Sequence, residues 1–104
     1  MSRGPDAATL LERALLAGAQ RAGCPVTIPK AEVQRWASAT FVGARHALTL
    51  AGTKSPELDA WLAALPEAEF ALRGHLVADL AVLHVAREGD AVSAQIEVLT
   101  IEER

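Results

Sequence analysis

Between Pro66 and Glu69 the spacing of apolar residues changes from that of a helix to that of a strand. Upstream, Leu58, Trp61, Leu62 and Leu65 recur at the intervals that place side chains on one helical stripe. Downstream the apolar period becomes two, as in a strand with one buried face. A chain that carries both periods must build both kinds of layer, and each buries its apolar side against the other. The fold class expected is therefore α+β.

The helical segment has its own start and stop signals. Ser55 is placed to cap, Pro56 suits the first helical position, and Glu57 complements the positive end of the helix dipole. Pro66 cannot continue the ladder, so the helix spans 55–65. Beyond it, residues 69–87 read as a long strand, 87–91 ("REGDA") as a turn, and "VSAQIEVLTIE" as the antiparallel partner. Val92, Ala94, Ile96 and Val98 keep one parity while Leu99 and Ile101 keep the other. That switch predicts a bulge near Val98, or a strand end apolar on both faces.

The first half is less sharply punctuated. "DAATLLERALLAGAQRAG" reads as a helix capped by Asp6, with capping-box spacing at Thr9 and Glu12 and a stop at Gly23. Leu11, Leu15, Gly18 and Ala22 would form its stripe. "CPVTIP" is expected as an extended connector. Residues 31–51 read as one long strand, bent at Gly43 or folded there into a hairpin, with a short helix at "PKAEVQRWA" as the competing reading of its first third. Trp36, Ser38, Thr40, Val42, Ala44, His46, Leu48 and Leu50 would then share a face. Residues 1–5 have no pattern and are expected to fray. The expectation is a single domain over 6–104, ordered α-β-α-β-β, with a small three-stranded, mainly antiparallel sheet and two helices on one face.

Charge and cysteine content narrow the function classes. The net charge is -3 with no basic run, which argues against nucleic-acid binding. The single cysteine, Cys24, cannot form an internal disulfide, so nothing points to an oxidising compartment. The early apolar stretch is broken by Glu12, Arg13 and Arg21, so neither a signal peptide nor a membrane span is expected. A soluble cytoplasmic protein follows. Hydrophobic residues make up 51% of the chain, with a mean hydropathy of +0.20. Such a composition leaves apolar surface to cover, and three long strands leave two sheet edges. Both arguments point to a homodimer formed through a sheet edge or an apolar helix face.

Chemistry-bearing residues concentrate in "FVGARH" and "FALRGHLVADLAVLHV". His46, His75, Asp79 and His84 are metal-ligand types, but no ligand spacing occurs, and no cofactor is expected. Cys24 follows a helix C-terminus, where the dipole disfavours a thiolate. Serines 38, 55 and 93 lack a nucleophile motif. Arg45, His46, Arg73, His75 and Asp79 remain as a candidate small-ligand or anion site, with converging guanidinium groups. Its pocket would lie between helix 55–65 and the sheet. The plainer reading makes the arginines solvated strand residues paired with Glu69 or Asp79. "FVGARH" and "FALRGH" also hint at a repeat that would bring Arg45, His46, Arg73 and His75 to one end of the sheet. The functional expectation is a non-enzymatic oligomeric interaction or assembly module, with the ligand site as its alternative; enzymatic activity is left open.

Overall fold

Asp6 sets the start of the first helix. Its Oδ1 accepts the Thr9 N–H at 2.9 Å, satisfying a donor that the first helical turn leaves unpaired. The computed structural model describes residues 6–103, so the expected fraying of residues 1–5 lies outside it. Helix α1 covers Ala7–Arg21, and Gly23, at φ 82°, turns the chain away after it. Strands β1 (Thr27–Ala37) and β2 (Val42–Thr53) follow as a hairpin. Helix α2 (Pro56–Ala64) is capped by Ser55, whose side chain accepts the Leu58 N–H at 3.0 Å. A 3₁₀ turn at Leu65–Glu67 carries Pro66, and β3 (His75–Glu88) and β4 (Ala91–Glu102) form the second hairpin. Gly89, at φ 61°, supplies the left-handed residue of the tight β3–β4 turn.

The architecture is α+β with two helices, but the sheet has four antiparallel strands, ordered β1-β2-β4-β3. The element order is α-β-β-α-β-β, where the sequence suggested α-β-α-β-β with three strands. The extra strand comes from residues 31–51, which fold into the β1–β2 hairpin. Its turn lies at Ser38–Phe41 and not at Gly43. The Ser38 N–H donates to the Phe41 carbonyl at 2.8 Å, and the Ser38 hydroxyl oxygen accepts the Phe41 N–H at 3.0 Å. One serine thus provides both turn contacts, with no glycine or proline to advertise it. The hairpin also separates the face assigned to Trp36 from that of His46: Trp36 pairs with Gly43, while His46 pairs with Val33.

Both helices cover one face of the sheet. Leu11, Leu15 and Ala19 of α1, with Leu58, Leu62 and Leu65, pack on Leu48 and Leu50 of β2, Leu80 of β3 and Val92, Ala94, Ile96 and Val98 of β4. The α1 stripe runs through Ala7, Leu11, Leu15 and Ala19, whereas Ala22 is exposed and Gly18 half-buried. The β2–β4 register runs unbroken from Gly43↔Ile101 to Thr53↔Ala91. The β4 strand itself carries no extra residue near Val98; the irregularity there lies in β3, where the register shifts between Val77 and Asp79 opposite Thr100 and Leu99. The end of β4 is apolar on both faces because Leu99 and Ile101 stay half-buried on the open side. Strand β3 begins at His75 and not at 69, after a turn in which Gly74 takes φ 82°. No helix among the described residues is long and apolar enough to cross a membrane.

Candidate functional site

The outer strand β1 is exposed along nearly its whole length, with only Ile28 and Trp36 half-buried. Its direction of hydrogen bonding follows from the ladder. In antiparallel pairs, hydrogen-bonded and non-bonded partners alternate. The Ser38 N–H to Phe41 carbonyl bond at one end of the hairpin, and the Lys54 N–H to Asp90 carbonyl bond on the other side of β2, fix the same phase. Trp36, Gln34, Glu32 and Lys30 therefore bond inward to β2. Ala31, Val33, Arg35 and Ala37 turn their N–H and carbonyl groups outward. The opposite edge, β3, differs in kind: its register shifts twice, between Val77 and Asp79 and between Val82 and His84. Such bulges disrupt an edge as a pairing template, whereas β1 pairs regularly from Lys30 to Ala37.

Val33 and Arg35 also form one wall of a cavity of about 570 Å³. It lies where the helical layer ends, between the first residues of α1 and the overhanging end of the sheet. Small residues make the room: Ala7 and Ala8 from α1, Ala44 from β2, and Gly43 and Gly74. His46, Thr100, His75, Asp6 and Glu102 supply the polar lining. His46 and Thr100 are both buried, and the His46 Nε2 lies 2.9 Å from the Thr100 hydroxyl oxygen. That hydroxyl donates its one proton to the Ala44 carbonyl at 3.4 Å, which can only accept. Nε2 of His46 therefore carries the hydrogen and Nδ1 keeps the lone pair.

Electrostatics reinforce that state. Burial pushes the His46 imidazole below its ordinary pKa of 6.5; the Asp6 carboxylate opposes this, and His75 adds to it. Asp6 itself is held below the usual carboxylate range by the Thr9 N–H it accepts. Arg35 and Glu102 pair at 3.4 Å on the rim. His75 is half-buried, and its Nδ1 is shut off from solvent without a hydrogen-bond partner among the described residues.

The five expected site residues do not converge. His46 and His75 line the same cavity, although their strands are separated by β4. Arg45 pairs with Leu99, on the face that the helices leave open. Asp79 also pairs with Leu99: the bulge at Ala78 reverses its side, so it no longer shares a face with His75. Arg73 is exposed in the turn before β3, and His84 is exposed opposite Gln95. Among the described residues neither arginine joins an ion pair; the pairs formed are Lys30–Glu32, Arg35–Glu102 and Arg87–Asp59. No residue of α2 lines the cavity, which belongs to the start of α1 and not to helix 55–65.

Sequence reasoning missed Arg35, Thr100 and Glu102. Thr100 carried a signal, because a hydroxyl on the buried parity of β4 needs a partner, and His46 is that partner. Cys24 is buried in the core, and burial, with the Glu57 carboxylate, pushes its thiol up, away from a reactive thiolate. Among the described residues no three His, Cys, Asp or Glu side chains are placed to hold a metal. No protein-family model matches the chain, and a search of curated proteins returned no match.

Proposed function

We propose that this chain is a self-associating module that builds a continuous sheet by pairing its β1 edge with the β1 edge of a second copy. One observation carries the reading: the regular run Lys30–Ala37 sits at a sheet edge with every side chain but that of Trp36 exposed and the backbone of four residues directed outward. Edge strands of this length are normally bulged, covered or paired, and strand addition satisfies their groups without a preformed pocket.

Charge along the strand selects the arrangement. A two-fold axis through Glu32 or Arg35 would set like charges directly opposite each other, which is destabilising. An axis through Ala31 would place Pro29, which has no N–H, in the new ladder. An axis through Gln34 avoids both problems and brings the Val33 side chain, 47% exposed, against the partner strand. The product is an eight-stranded antiparallel sheet with β3, the bulged edge, at both ends. Nothing in this role requires a reaction, a cofactor or a membrane, and a soluble protein of the cytoplasm suits it.

The test is sedimentation velocity on the full chain beside Val33→Pro. The Val33 N–H points outward, so proline there blocks the new ladder and leaves the β1–β2 hydrogen bonds in place. The expected result is a species of two 11.0 kDa chains for the parent and a folded monomer, with unchanged circular dichroism, for the variant. A monomeric parent at micromolar concentrations, or a variant that remains dimeric, would overturn the proposal.

A further inference from the structure

A second hollow, of about 420 Å³, lies on the helical side of the molecule, between α1, α2 and the segment that leads towards β3. Its volume falls in the range of small-molecule sites. Ala14, Ala17, Leu65 and Phe70 give it an apolar lining, and Gly18, Arg21 and Trp61 border it together. We propose that this hollow binds a small carboxylate with an apolar body, its oxygens held by the Trp61 indole N–H and the Arg21 guanidinium above Gly18. No residue of β1 lines it, so it is independent of the edge pairing.

Gly18 marks the place. A Cβ built there would lie 3.6 Å from the Trp61 Nε1 and 4.0 Å from an Arg21 Nη2, so both donors reach one spot on α1 where a side chain is missing. The protein uses neither: among the described residues the two side chains make no hydrogen bond, and Arg21 joins no ion pair. The Trp61 nitrogen is also open to a guest, whereas that of Trp36 is shut off from solvent. Neither backbone nor packing requires the glycine. Its φ is not positive, and both distances are ordinary contacts for a methyl group. Glycine inside a helix is less favourable than alanine, and here its missing methyl leaves room for an acceptor atom beside two donors.

Both groups can only donate, so the guest must accept, and the guanidinium favours an acceptor that carries charge. The dipole of α1 adds no attraction, because Arg21 stands in its last turn, at the negative end. The preference for an anion therefore rests on the Arg21 charge. Glu69, the one carboxylate at the hollow, is exposed and joins no ion pair among the described residues, so it leaves Arg21 free. The half-buried rings of Trp61 and Phe70 offer apolar contact to the body of the guest.

Phenylacetate, phenylacetamide and phenethylammonium share one apolar body and differ in charge. Each is titrated at neutral pH into the isotope-labelled full chain, while the indole N–H resonances of Trp61 and Trp36 are followed by NMR. Phenylacetate is expected to shift the Trp61 resonance saturably and to leave that of Trp36 in place. It should bind about tenfold more tightly than the amide, as a charged hydrogen-bond partner does over a neutral one, and the ammonium should not saturate. Arg21→Gln, at an exposed position, should bring phenylacetate to the affinity of the amide. Gly18→Ala favours the helix and meets only ordinary contacts, so it stays folded by circular dichroism, yet its methyl group takes the acceptor's place and should abolish binding. Amide or ammonium binding as tight as that of the carboxylate, no response at Trp61, or unchanged phenylacetate affinity in either variant would each overturn the proposal.

Discussion

Burial takes the His46 imidazole out of water and leaves it one hydroxyl partner, so the folded protein favours the neutral ring. The consequence for stability has a definite sign. Above pH 6.5 both folded and unfolded chains carry a neutral His46. As pH falls through the ordinary value of 6.5, the unfolded chain takes up a proton that the folded one refuses, and stability drops until the lowered folded pKa is passed. Urea midpoints measured between about pH 7 and 5 should therefore fall for the parent and fall less steeply for His46→Gln. Equal slopes would show that the ring is already solvated. Gly43 is constrained by space, without any need for an unusual backbone. A Cβ there would strike the Thr100 carbonyl oxygen and come within 2.7 Å of the Trp36 ring, which lies across the glycine. Gly43→Ala should cost about 1–3 kcal/mol, as overpacking does, and should move Trp36 fluorescence. An unchanged denaturation midpoint would mean that both the indole and the Thr100 backbone yield at no cost.

Helix α1 owes its place to one stripe. Leu15 is fully buried in the core, whereas its neighbour Leu16 is 39% exposed. Leu15→Ala is expected to lose about 2–5 kcal/mol, the range for a core leucine. Leu16→Ala should stay within about 0.5 kcal/mol of the parent. Thermal denaturation of the pair reads the difference directly, and similar losses at both sites would mean that α1 packs in another rotation. The strands divide by position. The two central ones, β2 and β4, bury alternate residues under the helices, while β1 and β3 form the edges. Two bulges break the regularity of β3 and none interrupts β1 after Lys30, so the two edges are not equivalent.

At the scale of the whole molecule the chain is a helix followed by a hairpin, twice over, with the second strand of each half at the centre of the sheet. The likeness of "FVGARH" to "FALRGH" does not follow this repeat. It matches the start of β2 with the approach to β3, whereas the architecture matches β2 with β4. The free β1 edge makes stability a property of concentration: if two copies pair, mass action raises the melting temperature as protein is added. The parent should show that rise and Val33→Pro should not. A melting temperature independent of concentration in the parent would argue against pairing.

Elements with local chemistry were legible in the sequence. Ser55, Pro56 and Pro66 bound α2, Asp6 caps α1, and "REGDA" turns β3 into β4, because caps, prolines and a glycine at positive φ act within a few residues of themselves. The hairpin at 38–41 was not legible, because a serine side chain closes it in place of glycine or proline. The face of Asp79 was hidden for a similar reason: a bulge depends on how β3 meets β4, and alternation along one strand cannot report it. His46 and His75 were singled out from the sequence, but their meeting depends on β4 entering between their strands and on α1 stopping short of the sheet's end. Arg35 and Thr100 entered the site by the same route. The sequence by itself determined the helices, the strand periods and the polar residues that had to find partners, since these follow from short-range backbone preferences and side-chain chemistry. Strand order decided which polar groups share the cavity and which edge stays open, because contacts between distant segments are set by the packing of the whole chain.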